Sequence, residues 1–372
     1  MKKISLLFLF VLFAACTSSS DEADSSEADL NRLFTNFSTD YSKRTVPLTA
    51  VLSGGPPKDG IPAIDNPVFI SVEQAGTWIR DSEPVILYSS PSPARVYPIQ
   101  ILMWHEIVND TVNGKSIIVT YCPLCTTGIG FAGEIDGKKL DFGTTGKLRY
   151  SNLIMYDRQS ESWWQQATGE ALAGKYAGKV LTQVPLQIVS WAQVKTYHPD
   201  AEVLSKQTGF SRPYGQNPYT GYDNPKGRPF LYQGPETDST YSPLERVLIV
   251  SRGEETALFS FTELAERQVI QLELGGEKIT VFWQSGTSSA LDTAQIQQGR
   301  DIGTAHAFLA EVPGQPLTFQ LRDHSIVDRE TGTEWNVLGM GVEGPLAGKK
   351  LTPIISVQHF WFSADAFFDF HG

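Results

Sequence analysis

Two cysteines separated by two residues, in Tyr121-Cys122-Pro123-Leu124-Cys125, are the side chains of this 372-residue sequence best suited to bond making. Two thiolates at this spacing can converge on one transition metal ion, copper or zinc, and a neutral imidazole supplies a third borderline ligand. His105 of Trp104-His105-Glu106 is the candidate for that ligand. Met155 could add a soft thioether and tilt the set toward copper, although a methionine at a strand position also reads simply as core. Glu106 is the candidate general base and reads equally as a solvated helix residue. The rival chemistry is thiol-disulfide exchange, because a CxxC pair in an oxidising compartment readily forms a disulfide. A redox dithiol usually opens a helix whose N-terminus lowers the thiol pKa. Here Thr126-Thr127-Gly128-Ile129-Gly130 follows, a poor helix start. A purely structural disulfide is the plainest alternative.

The H-x-E and P-C-x-x-C signature of zinc deaminases is not met, since His105 and Glu106 are adjacent and the proline lies inside the CxxC. His198, His306, His324, His359 and His371 show no ligand spacing. No nucleotide-cofactor motif is indicated.

The elements that must carry these residues read as α+β and rich in β. Val85 to Tyr88, Ser116 to Tyr121 and Leu153 to Tyr156 are short apolar or β-branched runs that predict strands. Asp136-Gly137, between two extended segments of EIDGKKLDF, predicts a type I′ hairpin. Ile99 to Val108 and Val189 to Tyr197 each fit one short helix. The chain also repeats itself. EPVILY (83–88) returns as ERVLIV (245–250), and VNGKSIIV (112–119) returns at the same offset of 162 as LGGEKITV (274–281). Further on the register shifts, and MYDRQSESWWQ (155–165) echoes as IVDRETGTEWN (326–336). Two tandem copies of one unit, 83–200 and 245–370, packed with pseudo-twofold symmetry, are therefore expected.

The second copy lacks every candidate ligand. At the offset of 162 it places Arg267 opposite His105, Gln268 opposite Glu106, Gln284 opposite Cys122 and Thr287 opposite Cys125. Asp157/Asp328, Arg158/Arg329 and Trp164/Trp335 persist in both. Residues common to both copies are expected to build the fold, and residues found together in one copy to build a site. The expected division is a removable leader (1–15), an acidic tether (16–33), an N-terminal segment (34–82), a site-bearing first unit (83–200), a connection (201–244) and a structural second unit (245–372). The connection is rich in Pro, Gly and Tyr. Its Tyr214, Tyr219 and Tyr222 could form a lid or a carbohydrate-stacking surface, or could simply pack the connection down.

Lys2 and Lys3 precede an apolar run from Ile4 to Ala15, too short to span a bilayer and suited to a signal peptide. The run ends at Ala14-Ala15-Cys16, which resembles a bacterial lipoprotein junction and makes Cys16 the expected lipidation site. The implied location is extracytoplasmic and lipid-anchored, on the outer membrane if the cell is Gram-negative. The formal net charge of −11 disfavours nucleic acid as a partner, because such binding rests on neutralising phosphates. The length predicts two or three domains.

GGPPKDGIPAIDNP (54–67), WHEIVND (104–110), VTYCPLC (119–125), MYDRQSESWW (155–164) and GPLAGKKL (344–351) together resemble the secreted bacterial and archaeal family known as domain of unknown function 3179. Members typically carry a small residue where this chain has Thr126. The resemblance implies an extent and a location for the site, and no reaction.

Overall fold

Six consecutive buried residues, Ile117 to Cys122, end the strand Lys115–Cys122, and their β-branched and aromatic side chains suit a strand covered on both faces. The computed structural model describes residues 34–89 and 92–370, so the leader, Cys16 and the acidic tether lie outside the described residues. From Ser38 onward the chain forms one compact unit. The two or three domains predicted from length are not separable, because the principal apolar cores draw residues from both halves: Cys122, Trp164, Phe360 and Phe362 share one, and Trp191, Phe282 and Trp335 another.

The fold is β-rich with short helices. In the first half, Pro84–Tyr88 pairs antiparallel with Gln187–Ser190 and with Arg95–Pro98. A second sheet runs Gln183–Val184, Thr127–Ala132, Lys115–Cys122, Ile107–Val112. A third contains Phe142–Arg149, Asn152–Asp157, Trp163–Gln165 and Ala171–Ala173. In the second half, Arg246–Arg252 pairs with Glu255–Ser260 and Ile355–Phe360. Val269–Leu274, Glu277–Gln284 and Thr304–Leu309 form a second sheet there, and Phe319–Arg322, Ser325–Asp328, Glu334–Trp335 and Gly341–Glu343 a third.

The predicted strands fall where the sequence placed them, each extended by a residue or two. The hairpin at Asp136-Gly137 forms with φ of 50° and 71°, the left-handed pair that a type I′ turn requires. The helix expected over 99–108 stops at His105, because Glu106 takes φ 58° and the chain re-enters a strand at Ile107. The second predicted helix begins only at Trp191, where Ser190 and Gln193 form a reciprocal capping box. Gly130 is required by close approach: a Cβ there would sit 2.7 Å from Val184 and 2.8 Å from Leu186. Among the described residues no helix is long and apolar enough to cross a membrane.

His306 and His359 are buried in this framework, and burial pushes both from the ordinary histidine value down to about 3. The folded state therefore refuses a proton that the unfolded chain accepts near pH 6.5. Their contribution to stability is complete above that pH and is lost as pH falls toward 3. Each should cost about 2 kcal/mol between pH 7 and pH 5. Urea unfolding across this range should give a shallower pH slope for His306→Gln than for the parent; an unchanged slope would disprove the assignment.

Candidate functional site

Cys122 ends its strand and Cys125 closes the 3-10 turn Pro123–Cys125, in which Pro123 presets the first turn residue. Thr126 then takes the left-handed conformation, φ 56° and ψ 28°, and reverses the chain into Thr127–Ala132. A strand follows the CxxC, as the two glycines implied. Both cysteines are free thiols, 1% and 0% exposed. Their sulfurs converge on one acceptor. The Ser151 carbonyl lies 3.8 Å from Cys122 Sγ and 3.6 Å from Cys125 Sγ, placed to accept from whichever thiol keeps its proton.

The two thiols are pushed in opposite directions. Burial drives Cys122 well above the ordinary thiol value, and its bond to Cys125 adds to the rise. For Cys125 burial acts the same way but is outweighed by hydrogen bonds from Cys122, Ser363 and Asn152, which hold it below that value. Of the two, Cys125 is thus the one whose thiolate its surroundings favour. Glu106 is buried, and its carboxyl is pushed well above the usual range by burial first and by Cys122 second. Its backbone carbonyl accepts from Tyr121 N–H at 2.8 Å, tying the helix end to the strand that carries Cys122.

His105 does not join the thiols in a ligand set. Its Nδ1 donates to the Pro62 carbonyl at 2.8 Å, which fixes the neutral tautomer and leaves Nε2 to accept from the Tyr214 hydroxyl at 2.7 Å. Burial, its main perturbation, lowers its pKa and keeps it neutral. Among the described residues no three His, Cys, Asp or Glu side chains form a group able to hold a metal ion. Met155 is fully buried, paired with Thr144 and Trp164, and shares the apolar core with both cysteines. Thr287, set opposite Cys125 by a constant offset, has no such place. Cys122 pairs with Thr127 across residues 123–126, whereas Gln284 pairs with Thr304 across the longer loop 285–303.

The three tyrosines of the connection turn inward. Tyr214 holds His105, Tyr219 packs against the core that contains Cys122, and the Tyr222 hydroxyl donates to the Leu124 carbonyl at 3.0 Å. Ser151 Oγ donates to the Phe230 carbonyl at 2.6 Å, so the connection is strapped over the dithiol. Of the two readings open for these tyrosines, packing the connection down is the one their contacts match. From the second half, Arg246 donates to Thr126 Oγ1 at 2.8 Å and Gln358 to the same atom at 3.1 Å. Arg246 is in turn paired with the buried Asp223 at 2.9 Å. Asn152, Ser363, Arg246 and Asp223 were not legible as site residues. They belong to other strands, the other half or the connection, and only Arg246 lay inside a stretch already singled out, the echo ERVLIV (245–250).

The family model described as "Protein of unknown function (DUF3179)" matches residues 58–370, and the chain belongs to that family. No curated protein and no solved structure matches the chain. The family description names no reaction, so chemistry must be argued from the residues.

Proposed function

We propose that this family member is a lipid-anchored extracytoplasmic protein whose working group is the Cys122/Cys125 dithiol, cycling between dithiol and disulfide. The observation that carries this reading is geometric: two buried free thiols converge on the Ser151 carbonyl at 3.8 and 3.6 Å. Their opposite shifts, Cys122 up and Cys125 down, favour Cys125 as the nucleophile. Cys125 thiolate attacks one sulfur of a partner disulfide, forming a mixed disulfide and releasing the partner's other sulfur as thiolate. Cys122 then loses its proton and attacks Cys125 Sγ, closing the Cys122–Cys125 disulfide and releasing the second partner thiolate. The chain is oxidised by two electrons and the partner disulfide reduced by two. The partner thiolate released in the first step takes the Cys122 proton, because the buried Glu106 carboxyl, pushed well above the usual range, holds its own. Because the strap covers both sulfurs, exchange requires the bonds from Tyr222 to Leu124 and from Ser151 to Phe230 to open.

A copper or zinc ion is the second reading. The convergence of the two sulfurs on one carbonyl favours it, because a soft cation can displace the protons of two adjacent thiols. His105 fits this poorly, being committed to Pro62 and Tyr214. Metal analysis and thiol titration of protein prepared without strong chelators separate the two readings. Stoichiometric metal with no reversible disulfide would reject the dithiol.

We infer further that 83–200 and 245–370 are two copies of one unit with pseudo-twofold packing. Supporting this, the sheet order Gln187–Ser190, Pro84–Tyr88, Arg95–Pro98 parallels Ile355–Phe360, Arg246–Arg252, Glu255–Ser260. Trp164 Nε1 donates to Asp157 at 3.0 Å and Trp335 Nε1 to Asp328 at 2.9 Å. Glu106 and Gln268 share φ 58° with ψ −31° and −29°. Contacts between the halves run both ways: Gln358 reaches Thr126 next to Cys125, and Gln193 reaches Gln284 in the other half at 3.4 Å.

Anchoring is tested separately. Cys16→Ser should move the protein from the membrane fraction to the soluble extracytoplasmic fraction; a variant that stays membrane-bound would refute lipidation at Cys16.

A further inference from the structure

We propose that the second half carries a binding site for a neutral sugar ring, in the cleft walled by Tyr197, Trp283 and Trp335 and furnished with the side-chain amides of Gln268, Gln284 and Asn336. The cleft has a volume of about 200 Å³, room for one ring rather than an oligosaccharide. Asn336 is the key residue. It is 6% exposed, and its Oδ1 accepts from the backbone N–H groups of Leu338 and Met340, both at 3.0 Å. Those two donors fix the amide orientation, so Nδ2 must face the other way, and it is buried without a hydrogen-bond partner. Buried donors are normally satisfied, so this fixed donor without a partner at the cleft calls for an acceptor there.

The chemistry of the lining selects the acceptor. No lysine or arginine lines the cleft, which removes the usual partner of an anion. Of its titratable side chains besides Tyr197, His324 is exposed, and Glu334 already accepts from Ser325 Oγ at 2.8 Å. Two amides that can both donate and accept and a third, Asn336, that offers a donor, between aromatic walls, match the ring of neutral hydroxyls on a pyranose. In the two-copy reading Gln268 and Gln284 stand where the first unit has Glu106 and Cys122. The cleft is thus the counterpart of the sealed thiol site, left open and with neutral amides in place of its carboxyl and thiol. The proposal stands on the cleft residues and does not need the dithiol chemistry.

The test is titration of the full chain with glucose, galactose and N-acetylglucosamine, followed by tryptophan fluorescence and calorimetry. At least one probe should bind saturably with a Kd in the millimolar range or tighter. Asn336→Asp keeps the acceptor for Leu338 and Met340 but removes the donor, and should weaken binding about tenfold or more. Gln284→Leu, at an exposed position that the fold tolerates, should weaken it as well. Absence of saturable binding by all three sugars overturns the proposal. So does binding that survives unchanged in Gln284→Leu, or in Asn336→Asp with its unfolding curve intact.

Discussion

Cys122→Ser, incubated with glutathione disulfide, is expected to accumulate a stable mixed disulfide at Cys125, whereas Cys125→Ser should react at least about tenfold more slowly. The asymmetry follows from the environments of the two sulfurs. Cys125 is held below the ordinary thiol value by bonds from Cys122, Ser363 and Asn152 that outweigh its burial. Cys122, pushed up by burial, offers little thiolate on its own. In Cys122→Ser the serine hydroxyl can still donate to Cys125, so the nucleophile survives and the resolving thiol does not. The parent protein should pass through the mixed disulfide without accumulating it and end as the internal disulfide, detected by mass spectrometry after alkylation. In native buffer both parent thiols should react sluggishly with a bulky thiol reagent and at once in urea, because neither sulfur is exposed. Equal trapping in the two variants would refute the division of roles, and a parent that stays fully reduced would refute the redox reading itself.

Asp223→Ala is expected to lose about 3–5 kcal/mol of stability, read from urea unfolding, the range for breaking a buried ion pair by removing one partner. Asp223 is fully buried, and burial alone would raise its pKa; Arg246, Ser289 and Arg300 outweigh that and hold it low. Its two carboxylate oxygens accept from Arg246 and Arg300, each at 2.9 Å. Removing the carboxylate strands the Arg246 guanidinium, whose side chain is 6% exposed and whose Nε already lacks a partner. Arg300 is 40% exposed, so Arg300→Gln should cost no more than about 1 kcal/mol. Because Arg246 also fixes Thr126 beside Cys125, thiol reactivity in Asp223→Ala should rise along with the loss of stability. A variant as stable as Arg300→Gln would show that the pair does not bear on the fold.

Short-range information in the sequence determined the strands and the turns. The β-branched run before Cys122, the Asp136-Gly137 turn and the Gly128/Gly130 pair act through a residue's own conformational preferences and its immediate neighbours, so they were legible without a partner in view. The same holds for the position of the dithiol and for the internal echo at an offset of 162, which is a property of the string. Tertiary structure alone decided what each chemical group faces. His105 resembled a ligand by type and spacing, yet Tyr214, 109 residues away, takes its free nitrogen. Tyr222 and Phe230, in a segment without periodicity, proved to strap Leu124 and Ser151. Arg246 and Gln358 reach Thr126 across 120 and 232 residues. Such contacts depend on two surfaces meeting after the sheets have formed. No local pattern encodes them, and they set which thiol is acidic, which histidine is occupied and which cleft is left open.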